Sequence, residues 1–472
     1  MELDYIIHNA YLLKMTQQGV GFQADAAVGV KDGEIAVVGS SPSIRKEHQA
    51  EKYVSGRDRV VMPGLVDGHM HSQLALLRGL AQDMDNWMEE GVWPFSRHLD
   101  RDMHRAAISL NVMEAVKNGT TTFLDYNHDL KTTASIHEEF GTRALLAKTI
   151  NEIVPHEKVA AGDLYPLSRE KGEKDLEEAV KLIKSDSFPD RLDFCPGPQA
   201  PDMLSPSLLH KTYDIAKELD VPIHMHVAQG QREHQQMMKR HGIRSIPYLE
   251  REGMLGERLL AVHLTEASDD EVKTLARSGS GLIICSGSIA IIDGLVPPLG
   301  EFLRHSDRAA LGSDQACGNN INNMFNEMKL TALLNKCKYE DPKIFPAWKV
   351  LRLATVDAAK ALGLEDKAGT LEAGKKADLI MLDLKSPALS PLWEKPLRNL
   401  VPNLVYAASG EEVTDVMIDG DFVVRNGEFL PRDEDEIYSE VERQKNRLKN
   451  RLDPQEFKYI SPLFSWQQEG RL

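Results

Sequence analysis

Four short apolar runs, each ending in a side chain that can bind a metal, constrain the fold more than any other feature of the chain. The first run, residues 59–68, is predicted as one strand and ends in the pair His69 and His71, and the others end in His226, His263 and Asp314. A strand places residues i and i+2 on one face, so the two imidazoles of the first pair project together. Such strand ends meet in a parallel β/α barrel, whose chemistry lies at the carboxyl ends of the strands. The pattern predicts a metal-dependent hydrolase.

The middle of the chain alternates between strand-like and helix-like segments. A helical stretch at 208–219 precedes the strand-like run 221–226, and a helical stretch at 271–277 precedes the run 281–285. This alternation indicates a parallel sheet, and its length suits a closed barrel. An open, doubly wound sheet is the competing topology, but no glycine-rich phosphate-binding loop follows the first strand.

The two ends of the chain share a different predicted pattern, in which short strands are separated by tight turns. We expect the ends to pair into one small β domain, although they are remote in sequence. The predicted organisation is a first β segment at 1–60, a barrel at 61–368, a second β segment at 369–430 and a charged, helical extension at 431–472.

The charge and composition of the chain disfavour nucleic acids and membranes as binding partners. The formal net charge is −16, whereas nucleic acids and anionic membrane surfaces require a basic face. No apolar stretch reaches the ~20 residues of a membrane span, and no leader-like segment opens the sequence, so we expect a cytoplasmic protein. The cysteines are far apart and form no CxxC pair, so the sequence suggests neither a disulfide framework nor a thiolate zinc cluster. Cys195 and Cys285 lie in apolar runs and are expected in the core.

Several motifs resemble a known family. The run 63–71 is similar to the PGxxxxHxH signature of the amidohydrolase superfamily, and residues 75–80 with Trp87 are similar to its aminohydrolase/chlorohydrolase branch. The segments 353–364 and 369–380 match the same branch. That branch contains deaminases of adenosine derivatives, such as adenosylhomocysteine and methylthioadenosine deaminases, as well as guanine deaminase and s-triazine hydrolases. The resemblance covers nearly the whole chain and implies an α/β fold, a distorted (β/α)8 TIM barrel with a small β-sandwich built from both termini.

The resemblance also implies a metal centre. Its ligands would be His69, His71, His226 and Asp314. Asp314 would also accept the proton of the attacking water, which His263 would orient. Binuclear members of the superfamily carry a bridging lysine at the end of the fourth strand, and the corresponding segment 192–199 has no lysine. We therefore expect one divalent metal per chain, zinc by ligand softness, with iron, nickel and manganese as alternatives.

Three positions depart from the family's deaminases. Gln229 stands where most have a proton-shuttling glutamate, Gln199 replaces a substrate-binding histidine, and Ser96 replaces a glutamate that holds the ribose. With Trp87 they are the predicted substrate-binding residues, and they argue against an ordinary adenosine-type substrate. Two explanations of Gln229 remain open: the substrate needs no protonated ring nitrogen, or another acid serves, with Glu266 as the candidate.

The leading hypothesis is a hydrolase that cleaves a C–N bond, or a related bond to a leaving group, of a small nitrogen-rich heterocycle with a metal-activated water. The alternative keeps the metal and water but acts on an acyclic urea, carbamate or amide. A catalytically inactive homologue is the third hypothesis, which the retention of every metal ligand disfavours. We expect a small-molecule substrate, no nucleic acid or membrane partner, and a homodimer or homotetramer.

Overall fold

Eight parallel strands form the centre of the protein. The computed structural model describes residues 2–154, 163–453 and 462–472. The strands pair as two four-stranded parallel sheets, and a bridge between Met70 and Asp314 joins the first strand to the segment after the eighth. In chain order they are Leu65–Met70, Thr120–Asn127, Arg143–Ile150, Leu192–Pro198, Ile223–Val227, Leu259–His263, Gly281–Ile284 and Ala309–Leu311. The predicted distorted (β/α)8 barrel is confirmed.

Helices surround these strands. Several begin at a side chain that accepts a backbone hydrogen bond, such as Asp100, Asp129 and Ser205, and Ser268 forms a capping box with Glu271. The α-helices are Ser41–Glu47, Trp93–Ser96, Arg101–Lys117, Leu130–Glu139, Arg169–Ile183, Pro206–Glu218, Gly230–His241, Ser245–Arg251, Asp269–Arg277, Ser286–Ile292, Leu299–Leu303, Met324–Lys338, Ala347–Leu353, Val356–Ala361, Leu400–Tyr406, Glu434–Lys449 and Pro462–Gln468. Shorter turns of 3-10 or π type are Ser72–Leu77, Trp87–Val92 and Pro201–Met203. Within the described residues, every helix is too short or too polar to cross a membrane.

Both ends of the chain build one sheet, as predicted. Arg59–Pro63 pairs antiparallel with Leu379–Asp383, which joins the N-terminal strands to the C-terminal ones. The sheet encloses a core with residues from both ends, including Ile7, Val28 and Met417, which gives the small β-sandwich. Its strands are Glu2–Leu13, Phe22–Lys31, Glu34–Ser40, Gln49–Ser55, Arg59–Pro63, Leu379–Asp383, Val413–Ile418, Asp421–Arg425 and Glu428–Phe429.

The apolar run before the first histidine pair is two strands rather than the single strand that the sequence suggested. Arg59–Pro63 belongs to the terminal sheet, and Leu65–Met70 is the first barrel strand. The break falls at Gly64, where an added Cβ would lie 2.1 Å from Thr121 Oγ1. Only glycine permits this close approach between the two domains.

The C-terminal helix Glu434–Lys449 packs on the helix Arg101–Lys117. Arg447 pairs with Asp100 at 2.8 Å, and Leu448 packs into a buried cluster that also contains Trp87 and Phe95. The exposed ion pairs add little stability, so the apolar contacts hold the helix. The helix thereby supports the segment around residues 87–96.

Buried polar side chains hold the chain around Asp314. Asp67 accepts hydrogen bonds from Ser313 N at 2.9 Å and from its hydroxyl at 2.5 Å. Glu327 accepts from the backbone N–H groups of Ser286 and Gly287 and so holds the turn after the seventh strand. The eighth strand, its following loop and the neighbouring turn are therefore fixed relative to one another.

Gly312→Ala tests the close approach of the first and eighth strands. A Cβ at this position would lie 2.8 Å from His69 N and 2.9 Å from His69 O, and backbone atoms cannot move aside cheaply. We expect a loss of ~1–3 kcal/mol in the free energy of unfolding and weaker metal retention. The control is Gly39→Ala, whose Cβ would meet Ile44 Cδ1 at an ordinary 3.5 Å. Equal stability of the two variants would contradict the packing argument.

Glu327→Gln tests the buried carboxyl group. Burial raises the pKa of Glu327 from 4.5 to about 8, with a further contribution from Asp67 and Asp314. Between these values the folded protein holds a proton that the unfolded chain releases, so the stability that Glu327 contributes falls as the pH rises. We expect denaturant unfolding to show the wild type losing stability relative to Glu327→Gln across this pH window. If the difference in free energy of unfolding between the wild type and Glu327→Gln did not vary with pH, the raised pKa of Glu327 would be refuted.

Candidate metal centre and active-site cavity

The ends of the first, fifth, sixth and eighth strands bring all five predicted metal-site residues together. Each of the five side chains is buried. Asp314 Oδ1 lies 3.4 Å from His69 Nε2 and 3.6 Å from His71 Nε2. Donor atoms of His69, His226 and His263 lie within 4.8 Å of one another. The sequence separates these residues by up to hundreds of positions, and the barrel gathers them at one point.

The second ring nitrogen of each predicted histidine ligand is already engaged. His71 Nδ1 lies 2.8 Å from Tyr126 O, and His226 Nδ1 lies 2.8 Å from Gln199 O. His69 Nδ1 lies 2.7 Å from Nε2 of the buried His224. A ligand histidine commonly donates its other N–H in this way, which fixes the ring and leaves Nε2 for the metal.

The residues present fit a divalent cation. His69 Nε2, His263 Nε2 and Asp314 Oδ1 are buried and have no hydrogen-bond partner in the described part of the chain. An unpaired buried polar group costs ~1–3 kcal/mol, so the bare donor set is unfavourable. Imidazole nitrogens and a carboxylate oxygen are ligands that a first-row divalent metal accepts, and such a cation would satisfy His69 and Asp314, with His263 left to hydrogen-bond a water beside it.

The charge states also suit metal binding. Burial lowers the pKa of His71 to about 4 and that of His263 to about 3, and it holds the pKa of His226 well below the usual range. Burial opposes ionisation of Asp314, but the surrounding histidines outweigh it and lower the pKa of this carboxyl group. At neutral pH His71, His226 and His263 are therefore neutral and Asp314 is a carboxylate, the protonation states that a metal requires.

The second oxygen of Asp314 is held separately. Oδ2 accepts a hydrogen bond from Ser288 Oγ at 2.6 Å and from Gln315 Nε2 at 3.2 Å, and it lies 3.9 Å from His263 Nε2. The carboxylate thus presents one oxygen to the histidine cluster and keeps the other beside His263. Sequence reasoning did not identify Ser288, which follows the seventh strand.

A cavity of about 370 Å³ opens at this centre. The four predicted substrate-binding residues, Trp87, Ser96, Gln199 and Gln229, all line it. The side-chain amide of Gln229 makes no hydrogen bond to the described residues. Further lining residues that the sequence did not reveal come from remote loops and helices: Gln73, Arg97, His104, His128, Asn151, Lys171 and Gln315.

The position of Gln229 is set by a buried carboxyl group. Glu233 accepts hydrogen bonds at 2.8 Å from the backbone N–H groups of both Ala228 and Gln229. Ala228 adopts a φ of +53°, a left-handed conformation that alanine rarely takes. The turn after the fifth strand is therefore tightly specified, and it directs Gln229 to the cavity.

Glu266, the predicted replacement acid, does not line this cavity. Its carboxylate accepts a hydrogen bond from Gln231 Nε2 at 2.8 Å in an exposed contact. The structure places another carboxyl group, Asp293, in a small adjoining cavity that Trp87 and Gln229 also line. Burial, with the charges of Glu266 and Asp314, raises the pKa of Asp293 to about 6. Asp293 lies in the loop after the helix Ser286–Ile292, where no sequence motif pointed to it.

Comparison with known proteins agrees with this geometry. The sequence profile of the amidohydrolase family matches residues 60–423. A 5-methylthioadenosine/S-adenosylhomocysteine deaminase of Desulforudis audaxviator is 32% identical over 447 residues, 94% of this chain and 98% of that protein. A 5'-deoxyadenosine deaminase of Methanosarcina mazei is 31% identical over 454 residues, 95% of this chain and 99% of that protein.

Solved structures give the same result. An adenosine deaminase from Xanthomonas campestris with bound zinc superposes with a TM-score of 0.86 at 26% identity, covering 95% of this chain and 99% of that one. An atrazine chlorohydrolase from Arthrobacter aurescens in complex with zinc has a TM-score of 0.82 at 19% identity, covering 93% and 100%, and shares the fold. The chain belongs to the amidohydrolase family and is a hydrolytic enzyme that acts on C–N bonds.

Proposed function

We propose that the protein is a zinc-dependent aminohydrolase that removes ammonia or an amine from a small nitrogen-rich heterocycle. The observation that carries this proposal is the convergence of His69, His71, His226 and Asp314 at a cavity that is lined by amide side chains. The relatives that deaminate adenosine derivatives, together with the zinc in the Xanthomonas deaminase, support the reaction class and the metal.

We further propose a single zinc ion per chain. His69, His71, His226 and Asp314 would hold it, and the fourth strand Leu192–Pro198 offers no lysine that could bridge a second ion. When bound, the metal lowers the pKa of its water ligand from ~15.7 towards ~7 and so supplies a nucleophile at neutral pH.

The protein's own groups would manage the protons. Asp314 is ionised and buried, and its Oδ2 lies beside His263, so this oxygen can accept a proton from the attacking water. His263 is neutral, and neither of its ring nitrogens has a hydrogen-bond partner in the described residues. We assign His263 to orienting the attacking water, since its Nε2 faces the same side of Asp314.

The substrate would be recognised by amides. Gln199 and Gln229 can each donate and accept hydrogen bonds, while Trp87 and Ser96 line the same cavity. An amide carries no titratable proton near neutral pH, so Gln229 cannot protonate a ring nitrogen. We infer that the substrate has a leaving group that departs without this protonation, which separates it from ordinary adenosine-type substrates.

An acyclic urea, carbamate or amide is the second candidate. The described lining residues include no carboxylate, and their glutamines match the carbonyl and N–H groups of such a bond. Product analysis separates the candidates, because deamination leaves a ring carbonyl whereas the second reaction splits off an amine and an acid fragment.

Assembly, location and domain boundaries stay predictions. We expect a cytoplasmic homodimer or homotetramer, and we place the boundary between the terminal sheet and the barrel at Gly64, slightly after the boundary at residues 60 and 61 that the sequence predicted. Size-exclusion chromatography with light scattering measures the number of chains in the assembly.

Metal removal tests the proposed function. Treatment with a chelator should abolish release of ammonia or amine from the best aminotriazine substrate of the wild type, and one equivalent of zinc should restore it. His69→Ala removes a ligand and should remain inactive after zinc is added, with low zinc content. Full activity of the metal-free protein would refute the proposal.

Gln229→Glu tests why the glutamate is missing. In a pocket of low dielectric a new carboxylate would compete for the water and repel developing negative charge. We therefore expect a lower rate on the best wild-type substrate, with weak new deaminase activity on aminopurines. Gln229→Ala is the control and should cost ~1–3 kcal/mol in transition-state binding if a buried substrate group loses its partner. A markedly faster Gln229→Glu enzyme would contradict the inference.

A further inference from the structure

A buried thiol lies next to the metal centre. Cys285 directly follows the seventh barrel strand, and its Sγ, a ring nitrogen of His263 and a carboxylate oxygen of Asp314 lie within 4.8 Å of one another. Asp314 therefore belongs to two adjoining donor groups, one with His69 and His71 and the other with His263 and Cys285. We propose that His263, Cys285 and Asp314 form a second, inhibitory metal position that takes thiophilic divalent cations.

The donor set is more than a lone cysteine in the core. His263 is fully buried, and both of its ring nitrogens lack a hydrogen-bond partner in the described residues. Cys195 offers a comparison, since it is also a fully buried thiol in the same apolar cluster of the barrel interior. Within the described part of the chain, Cys195 belongs to no group of metal-capable side chains, whereas Cys285 does.

The chemistry of the three ligands selects the cation. Thiolate and imidazole prefer soft or borderline ions such as Cd²⁺ and Zn²⁺ and disfavour Mg²⁺, which requires oxygen ligands. Binding replaces the S–H bond of Cys285 by a sulfur–metal bond and releases the proton to solvent. No oxidant or other reactant is needed for this step.

Occupation of this position would inhibit the enzyme. The second cation would use Asp314 Oδ2 and His263, the two groups to which the proposed function assigns proton acceptance and water orientation. The 3.2 Å hydrogen bond from Gln315 Nε2 to this oxygen is longer than the 2.6 Å bond from Ser288 Oγ and is the one expected to yield. Cation binding and hydrolysis therefore compete for the same atoms.

The experiment titrates CdCl₂ into the holoenzyme loaded with one equivalent of zinc. We expect a second equivalent of metal to bind while the zinc is retained, an ultraviolet thiolate-to-cadmium charge-transfer band to appear, and activity to fall. Cys285→Ser should lose the band and require ~10-fold more Cd²⁺ for half-inhibition, measured against its own uninhibited rate. Cys195→Ser is the matched control and should behave as the wild type, and MgCl₂ should not inhibit.

The band and the metal stoichiometry need no substrate, so they decide the second position even if the proposed reaction proves wrong. Displacement of the zinc without a thiolate band would overturn the inference. Equal inhibition of the wild type and Cys285→Ser, or loss of the band in Cys195→Ser instead, would overturn it as well.

Discussion

The structure depends on removing a cluster of polar side chains from water at one end of the barrel. Four histidines and Asp314 are almost fully buried there, and several of their donor atoms lack a protein partner. Burial keeps His71, His226 and His263 neutral, and the surrounding histidines lower the pKa of the Asp314 carboxyl group. The cost of desolvation is offset only when a cation completes the set. Folding and metal binding are therefore expected to be linked.

The surrounding polypeptide resists collapse of this unfavourable cluster. His263 and Asp314 have φ values of +79° and +60°, a region that costs non-glycine residues ~1–3 kcal/mol each. Ser288 and Asp67 hold the loop around Asp314 by buried hydrogen bonds, and His224 holds the ring of His69. Strain of this kind persists only where neighbouring contacts over-determine the conformation, and it places the donors before any metal arrives.

The sequence predicted the parts of the site that follow from strand ends. His69, His71, His226, His263 and Asp314 each end an apolar run, and parallel strands bring such ends together whatever the loops do. The single strand predicted before His69 was wrong, because its first half pairs with Leu379–Asp383, which is more than 300 residues away. Lys171 lines the cavity, Asp293 lines the adjoining cavity and Cys285 lies beside the metal centre, and each is placed there by helix packing or loop paths, which carry no local pattern. Of these residues, the sequence made a prediction only for Cys285, which it placed in the core. The structure confirms that Cys285 is buried. The sequence did not predict that Cys285 lies beside His263 and Asp314.

Two of the replacements that distinguish this chain from the deaminases it resembles remove negative charge from the cavity. Gln229 and Ser96 are both neutral where the family resemblance implies a carboxylate, and the described lining of the cavity contains no aspartate or glutamate. Two carboxyl groups close to Gln229 are engaged elsewhere: Glu233 accepts hydrogen bonds from backbone N–H groups, and Asp293 lines the adjoining cavity. With a divalent metal bound at one end and no carboxylate among its described lining residues, such a cavity would favour developing negative charge. Its field therefore suits a transition state that spreads electron density onto the substrate, rather than one that first takes up a proton.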